Sequence, residues 1–525
     1  MKKLITAIAL LQLCTTLIWA QNTTIKVIVA HVSSPKYFYI LHTLPLKQEF
    51  TTKTYQVDTV TKTLTATINL TLDKPTSFTL YFNNGDDKSG PSAYRFSLSP
   101  GYNLTFKANL AKPDKGIEVT GKGSEDNQPL PISVYAKADA FYGDTLPNRI
   151  TALINSQQAT NKKILNDYIA RYNPSAQFKK AQNYNVDYYS AYNYLAFKEN
   201  NKYRQEREYV RTKPLWDKIQ DSLFATASAK AKGQKPDFSK SESDLISDLN
   251  NDDALVSEAY QLLLQNILLR KKEWLWNESS NNPGIFFKQW YNADEESGRK
   301  QFNDDMENLL KEKIIKAYFT GKSAEFLYAT LFTEAEHESN PKNIPLIFNR
   351  FKNEFPKSKY TANFQPFVDD ILKRESQTIT DKMIFAADNG TKLTTLTEVL
   401  ALTKGKTVLV DMWGTWCGPC REEIEKNSKA VKEHFKDKGL SYLYVANFDS
   451  NNESTWKKLI TYFNLEGTHI LANDLLNKDI MTKIKGDGYP TYFIIKKDGT
   501  YELSKAGYPM DRNVLIKQLE TAMNQ

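Results

Sequence analysis

Two of the three cysteines in this chain of 525 residues stand two residues apart, in the segment Trp-Cys-Gly-Pro-Cys. A cysteine acts as a nucleophile only as a thiolate, and two neighbouring thiols can cycle between a dithiol and a disulfide. In such a cycle Cys417 attacks a substrate disulfide, and Cys420 then attacks the mixed disulfide and releases the substrate. The pair therefore predicts thiol-disulfide exchange.

The residues around the pair predict a helix that begins at the cysteines. The apolar run Thr407–Trp413 predicts a strand directly before it. Gly418 permits a tight turn, and Pro419 suits the first helical turn, where its missing N–H would have no partner anyway. A thiol at a helix N-terminus lies near unpaired backbone N–H groups that stabilise the thiolate. We therefore expect an exposed, reactive Cys417 and a Cys420 that is tucked one turn inward.

Three other uses of a Cys-x-x-Cys pair fit this chain less well. A zinc site needs about four ligands. The histidines that might supply them are scattered along the chain, at His31, His42, His337, His434 and His469. A static disulfide between adjacent helical turns would constrain almost nothing, and haem attachment requires a histidine where this chain has Arg421. We expect no metal and no cofactor.

The first twenty residues predict export. Lys2 and Lys3 precede an apolar run that ends at Ala20, as in a secretory signal peptide. We expect cleavage after Ala20, while a membrane-anchored form stays an alternative and lipidation of Cys14 is disfavoured. The mature protein is then expected in the periplasm, an oxidising compartment in which stray thiols pair and a lone Cys-x-x-Cys is informative.

Length and charge limit the architecture and the partners. A chain of 525 residues is too long for one hydrophobic core, so about three domains are expected. Lys and Arg number 69 against 61 Asp and Glu, which gives a formal net charge of +8 without a long basic run. This balance does not favour nucleic acid as a partner.

Periodicity divides the chain that follows the predicted signal peptide (1–20) into three domains. Residues 21–125 alternate β-branched or aromatic residues with polar ones, which predicts a β-sandwich. Residues 126–380 carry apolar side chains three and four positions apart, which predicts an α-helical domain. Residues 381–525 alternate strands and helices and predict an α/β sheet covered on both faces, with a closing hairpin and a last helix capped by Asp511.

The last of these domains, from Met383 to Met523, resembles the thioredoxin superfamily, and within it the exported TlpA-like and ResA-like thiol-disulfide oxidoreductases, because it contains the Trp-Cys-Gly-Pro-Cys motif. The resemblance implies a thioredoxin fold. It also implies that Asp411, six residues before the first cysteine, is a buried acid that accepts the proton of the resolving thiol. Glu423 occupies the place where the exported group often has a further acid.

The segment Gly488–Thr491 resembles the cis-proline loop of the same family. The resemblance places Pro490 opposite the disulfide and leaves the backbone at Tyr489 free to pair with an extended substrate. The predicted substrate-binding residues are Trp416, Gly418, Pro419, Tyr489 and Pro490.

The sequence departs from the family five residues past the second cysteine. Many members have a proline there that kinks the helix, whereas this chain has Glu425. We therefore expect a straighter helix and a larger acidic cluster, formed with Glu422 and Glu423. Negative charge near a thiol raises its pKa and lowers its reactivity.

Together these features predict a periplasmic thiol-disulfide oxidoreductase that reduces the disulfides of exported proteins and receives electrons from a membrane-bound thiol donor. The Gly-Pro dipeptide resembles that of reducing thioredoxins, but direction depends on reduction potential, for which about 30 mV corresponds to about 1.4 kcal/mol. Two alternatives stay open: a disulfide oxidase or isomerase, and a ligand- or partner-binding protein with an accessory thioredoxin-like domain.

Overall fold

The computed structural model describes residues 21–32, 39–43, 53–54, 57–58, 60–72, 74–82, 92–112, 116–137, 146–204 and 206–525. The predicted signal peptide, with Cys14, lies outside the described residues. Two compact units are present: the described residues up to Glu273 with Ile314–Leu327, and Trp274–Lys313 with Tyr328–Gln525. No helix in the described part of the chain combines the length and the apolar character that a membrane span requires.

The first unit begins with strands whose side chains alternate between buried and exposed, as the two-residue period of a strand requires. Among the described residues these strands are β1 (Gln21–Ala30), β2 (Tyr39–Thr43), β3 (Lys53–Thr54), β4 (Val57–Asp58), β5 (Thr63–Leu72), β6 (Thr76–Phe82), β7 (Ser92–Leu98), β8 (Asn103–Asn109) and β9 (Glu118–Lys122). They pair into one sheet in the order β4-β5-β1-β8-β9 and another in the order β3-β2-β6-β7.

Side chains from both of these sheets contribute to one hydrophobic core. Ile25 of β1 and Phe106 of β8 are fully buried in it together with Phe78 of β6 and Phe96 of β7. Burial of such side chains is the main favourable contribution to folding. The sequence thus correctly predicted a β-rich N-terminal region, while the sandwich arrangement of the two sheets stays a prediction.

Helices follow from residue 147 onward and agree with the predicted helical region. They are α1 (Pro147–Tyr172), α2 (Ala176–Arg204), α3 (Glu206–Lys232), α4 (Glu242–Asp248), α5 (Glu258–Asn281), α6 (Pro283–Tyr291), α7 (Glu295–Asp304), α8 (Asn308–Tyr318), α9 (Gly321–His337), α10 (Ile344–Glu354) and α11 (Tyr360–Glu375). The boundaries of this predicted domain, at residues 126 and 380, stay predictions.

The C-terminal part of the second unit is the α/β sheet that the sequence predicted. Its strands are β10 (Met383–Phe385), β11 (Val408–Trp413), β12 (Ser441–Ala446), β13 (Gly467–Leu471), β14 (Thr491–Ile495) and β15 (Tyr501–Leu503). The order is β10-β13-β12-β11-β14-β15; neighbours are parallel up to β11, and β14 and β15 are antiparallel. The helices are α12 (Leu396–Leu402), α13 (Gly418–Glu423), α14 (Lys429–His434), α15 (Glu453–Tyr462), α16 (Asp474–Ile484) and α17 (Arg512–Met523).

Helices cover both faces of this sheet. Val410 on one face of β11 packs in a cluster with residues of α12 and α16, whereas Leu409 on the other face packs with residues of α14 and α17. The predicted cap of the last helix is confirmed, because the Asp511 carboxylate accepts the backbone N–H groups of the second and third residues after it. The strand β11 therefore runs through the middle of the domain and ends at the cysteines.

Candidate active site

The two cysteines are joined by a disulfide directly after β11. Cys417 is the N-cap residue of α13, and its Sγ accepts the backbone N–H of Cys420 at 3.2 Å. Pro419 lies in the first turn of the helix. These observations confirm the predicted helix start. In the described part of the chain no three His, Cys, Asp or Glu side chains are grouped so as to hold a metal ion.

Both cysteines are buried in this oxidised form. Cys417 is 3% exposed and Cys420 is 1% exposed, so the expected exposure of Cys417 is wrong here. The two sulfurs are bonded to each other, and both residues belong to an apolar cluster that also contains Trp413 and against which Tyr489 packs. Tyr489 thus packs against the cluster that contains the pair, and the two cysteines themselves are almost inaccessible in this form.

The segment that precedes Cys417 is held by the loop after β12. Thr415 donates its backbone N–H and its hydroxyl to the carboxylate of Asp449, at 2.7 and 2.5 Å. The indole N–H of Trp416 donates to the carbonyl of Asn447 at 2.9 Å. Gly414 is required for this arrangement, because a Cβ there would lie 2.4 Å from the indole nitrogen. Asn447 and Asp449 are fully buried, so the loop fixes the approach to the active-site helix.

Phe448 lies between these two buried residues and points outward. Its φ of 56° is left-handed, a conformation that is rare for a large side chain and that is retained where the surrounding structure enforces it. Phe448 is 56% exposed and Trp416 is 51% exposed. The three ring centroids of Trp416, Phe448 and Tyr489 lie 5.8 to 6.2 Å apart. We call these three residues the aromatic face; sequence reasoning found two of them and missed Phe448.

The Tyr489–Pro490 peptide bond is cis, as the sequence predicted. The loop leads into β14, whose first residue, Thr491, is paired with Met412 of β11. Pro490 therefore lies beside the end of β11, the strand that precedes the cysteines. The hydroxyl of Tyr489 donates to the side chain of Asn477 at 2.6 Å, which orients the ring of the aromatic face. The structure therefore brings the predicted loop and the predicted cysteine pair to the same edge of the sheet.

Asp411 is buried, as predicted, and lies on the same face of β11 as Trp413, whose cluster contains both cysteines. Burial raises the pKa of its carboxyl to about 7, an effect that nearby Glu423 increases and Lys432 opposes. The Oδ1 atom has no hydrogen-bond partner. A carboxyl group that titrates near neutral pH can accept the proton of a thiol.

Glu423 is also buried, one helical turn after the cysteines. Its carboxylate accepts the side-chain N–H of Asn427 at 2.6 Å and the backbone N–H of Met510 at 3.2 Å. These contacts connect the active-site helix to the segment before α17. Glu423 therefore has a structural role in addition to its electrostatic effect on Asp411, and its predicted catalytic role stays a prediction.

The helix after the cysteines is not a regular α-helix. Ile424–Ser428 form a π-helical turn, and the expectation of a helix straighter than one kinked by proline stays a prediction. Glu425, in this turn, receives two hydrogen bonds from the guanidinium of Arg374 in α11, at 2.7 and 2.8 Å. Glu422 pairs with Lys426. Each acid of the predicted cluster thus has a partner, which reduces the effect of its charge on the thiols.

A model of the Redoxin family matches residues 375–516. The C-terminal domain is a Redoxin domain. The motif, the cis-proline loop and the buried Asp411 lie within the matched residues, and the domain belongs to the thioredoxin superfamily, as the sequence indicated. The match begins at the end of α11, which carries Arg374 and precedes the predicted domain boundary.

Two Bacillus proteins are similar to this domain. The Thioredoxin-like protein YneN of Bacillus subtilis is 36% identical over 101 residues, which is 19% of this chain and 55% of that protein. The Thiol-disulfide oxidoreductase ResA of Bacillus cereus is 33% identical over 96 residues, which is 18% of this chain and 52% of that protein. The chain thus spans about half the length of these curated relatives.

Two solved structures are similar to part of the chain. The thioredoxin domain of a thiol-disulfide oxidoreductase from Bacteroides vulgatus is 28% identical, with a TM-score of 0.20, over 23% of this chain and 82% of that one. A thiol:disulfide interchange protein from Chlorobium tepidum is 25% identical, with the same TM-score, over 23% of this chain and 83% of that one.

Proposed function

We propose that this protein is a thiol-disulfide oxidoreductase that reduces the disulfides of exported proteins. The observation that carries the proposal is the Cys417–Cys420 disulfide at a helix start, with the unpaired carboxylate of Asp411 buried on the same face of the sheet. The names of the two Bacillus relatives support the same chemistry.

The reaction begins with the reduced pair. The Cys417 thiolate attacks one sulfur of a substrate disulfide, so a mixed disulfide forms and the other substrate sulfur leaves as a thiolate that takes a proton from water. Cys420 then loses its proton to Asp411 and attacks the Cys417 sulfur. The substrate's second sulfur leaves as a thiolate, and the substrate has gained two electrons while the Cys417–Cys420 pair has become a disulfide.

Two features of the protein favour the reactivity of Cys417. Its sulfur accepts a backbone N–H at the start of α13, and the positive end of a helix stabilises a thiolate. Arg374 pairs with Glu425, which limits the opposing effect of the acids that follow the cysteines. Both features favour a pair whose first thiol ionises readily.

Substrate binding is assigned to the aromatic face and the cis-proline loop. An extended segment next to the substrate cysteine would pair with the backbone at Tyr489, as a strand added to an edge does. Its apolar side chains would contact the rings of Trp416 and Phe448, which are half exposed. Gly418 and Pro419 lie beside the disulfide without a bulky side chain that would block this approach.

The location and the partners of the protein form part of the proposal. The N-terminal lysines and apolar run support export to the periplasm. A reductant in an oxidising compartment needs a source of electrons, which we assign to a membrane-bound thiol donor. The two N-terminal sheets, which share a core, are proposed to form a β-sandwich that docks substrates or partners together with the helical region.

The first test is reduction of insulin disulfides by the full chain with dithiothreitol as the electron source, together with the reduction potential of the pair in glutathione buffers. We expect turnover and a potential nearer to about −270 mV, as in thioredoxin, than to about −120 mV, as in the oxidant DsbA. A potential near the upper value would identify an oxidase instead, and absence of turnover would contradict the enzymatic assignment.

The second test separates the two sulfurs. Cys420→Ala removes the resolving thiol, so mixed disulfides with substrates should accumulate on Cys417, visible on non-reducing gels and identified by mass spectrometry. Cys417→Ala is the matched control and should trap nothing, because Cys420 does not occupy the helix N-cap. Equal trapping by the two variants would overturn the assignment of the nucleophile.

A further inference from the structure

Six lysines lie at the edge of the Redoxin sheet that is opposite the cysteines. Val408, the first residue of β11, is paired with Ser441, the first residue of β12, and with Ile495, the last residue of β14. The loops that adjoin these three strand ends therefore lie side by side. Each loop contributes two lysines, and we call the six residues the lysine edge: Lys404, Lys406, Lys436, Lys438, Lys496 and Lys497.

The three loops concentrate the positive charge of the chain. They comprise residues 403–407, 435–440 and 496–500, which are 16 residues with six lysines and two aspartates. Their formal charge of +4 is half of the +8 of the whole chain of 525 residues. The sequence has no long basic run, because folding brings these lysines together from separate segments.

Most of these ammonium groups are available to a partner. Lys496 pairs with Glu502 at 3.4 Å, and Lys497 donates to the carbonyl of Met523 at 3.1 Å. The other four lysines are exposed, and none of them forms an ion pair within the described part of the chain. The fold therefore does not use these four charges.

Helix ends account for only part of this charge. A cation near the C-terminus of a helix is stabilising, but the effect falls off within the last turn. The first lysine of the loops after α12 and α14 lies two residues past the end of the helix, where this effect applies. The second lysine of each loop lies four residues past the helix, and Lys496 and Lys497 follow a strand. Helix stabilisation thus leaves four of the six lysines unexplained.

The spacing of the lysines lets them act on a partner together. Neighbouring strands of a sheet lie about 4.8 Å apart, so the three adjacent strands β12, β11 and β14 span about 10 Å. The Debye length in about 0.1 M salt is also about 10 Å. The charges of the lysine edge therefore add, and a broad anionic surface meets all of them at once.

Two features favour lipid headgroups over other polyanions. The cations are all lysines, which act as point charges, whereas arginine is the residue that typically recognises single phosphates in a bidentate manner. Leu402, at the end of α12 beside this edge, is 49% exposed. An apolar side chain among cations is stabilised at the boundary between headgroups and acyl chains, and it finds no such apolar partner along a sugar-phosphate backbone.

We propose that the lysine edge binds an anionic membrane surface. The inference goes beyond the proposed function, because it assigns a second surface that takes no part in the thiol chemistry. β11 has 6 residues and a length of about 20 Å, so the disulfide at its far end lies about that far above the bound headgroups. This height is less than the diameter of a small domain, about 30 Å. Exported substrates and a projecting domain of the membrane-bound donor therefore both reach the pair.

The test measures partitioning of the full chain by co-sedimentation with vesicles of phosphatidylcholine, either alone or with about one third phosphatidylglycerol. The readout is the ratio of the anionic to the neutral partition coefficient, because any contribution of the N-terminal apolar run is common to both. The variant replaces the four lysines without an ion pair: Lys404→Gln, Lys406→Gln, Lys436→Gln and Lys438→Gln. Each lysine near an anionic surface strengthens binding about fivefold, so the ratio should fall about 25-fold if two of them reach the surface and several hundredfold if all four do.

The matched control changes the net charge equally by replacing four other exposed lysines of the domain with glutamine: Lys429, Lys478, Lys505 and Lys517. Its ratio should stay close to that of the wild type. An equal loss in the two variants would show that only net charge matters and would overturn the inference, as would a wild-type ratio near one. Raising the salt from about 0.1 M to about 1 M shortens the Debye length from about 10 Å to about 3 Å and should abolish the preference for anionic vesicles. A preference that persists in high salt would contradict electrostatic binding.

Two further measurements determine the kind of partner and the orientation. Retention on heparin that depends on the lysine edge, without a preference for anionic vesicles, would identify an acidic macromolecule as the partner and overturn the lipid assignment. Vesicle-bound wild type should reduce insulin as it does in solution, because the disulfide lies at the opposite edge of the sheet; loss of turnover on binding would overturn this orientation. The vesicle assay does not involve the thiols, so absence of turnover without vesicles would refute only the proposed function.

Discussion

Replacing Asp411 with Asn should stabilise the oxidised Redoxin domain at high pH and leave its stability almost unchanged at low pH. Burial raises the pKa of Asp411 from 3.8 to about 7. Between these values the folded domain keeps a proton that the unfolded chain has lost, so the free energy of unfolding falls as the pH rises. Each pKa unit corresponds to about 1.36 kcal/mol, so the total loss is about 4 kcal/mol.

Asparagine cannot ionise and does not contribute this loss. Near pH 4 both side chains are neutral in the folded domain, and both leave a polar group in the same buried place. The difference in free energy of unfolding between Asp411→Asn and wild type should therefore grow by about 4 kcal/mol from pH 4 to pH 8. The growth should occur between the two pKa values and should level off above pH 8.

Hydrogen exchange followed by mass spectrometry measures this difference in the full chain without requiring a two-state transition. Peptides that cover β11 and β12 report the opening of the domain core, and comparison of the two proteins at each pH removes the intrinsic pH dependence of exchange. Asp437→Asn is the control, because Asp437 is an exposed carboxyl of the same domain. The difference in the free energy of unfolding between this variant and the wild type should stay the same at each pH. A difference for Asp411→Asn that stays constant from pH 4 to pH 8 would refute the raised pKa and its role as a proton acceptor.

Two further predictions concern residues that the sequence did not single out. Phe448→Gly should leave the domain as stable or about 1 kcal/mol more stable, because glycine accepts a φ of 56° without strain. It should nevertheless lower kcat/KM more for peptides whose disulfide is flanked by apolar residues than for peptides whose disulfide is flanked by charged residues. If the ratio of these two kcat/KM values equals that of the wild type, Phe448 has no part in substrate recognition. Arg374→Gln should destabilise the π-helical turn Ile424–Ser428 by about 1 kcal/mol, since the pair with Glu425 is partly buried and bidentate. Faster hydrogen exchange in that turn checks this, and exchange equal to that of wild type would show that the pair contributes nothing.

Several parts of the site follow from short stretches of sequence. The strand before the cysteines, the helix start at Cys417 and the cap at Asp511 depend on residues only a few positions apart, and the structure agrees with each. The same holds for the alternation of buried residues in β5 and for the apolar faces of the central helices. Local periodicity and capping chemistry predict these elements, because the residues that mark a strand, a helix start or a cap lie within the same short segment.

The properties that decide reactivity depend on residues far apart in the chain. Arg374 reaches Glu425 across 51 positions, and Met510 reaches Glu423 across 87. Burial of Cys417 and the outward position of Phe448 likewise result from the packing of separate loops. A pKa depends on desolvation and on charges within a few ångströms, and only the folded chain brings Lys432 and three tyrosines around Asp411. The sequence by itself determined which residues are proposed to carry the chemistry. The tertiary structure decided the environment of Asp411 and the cysteines, because that environment is assembled from segments that are distant in sequence.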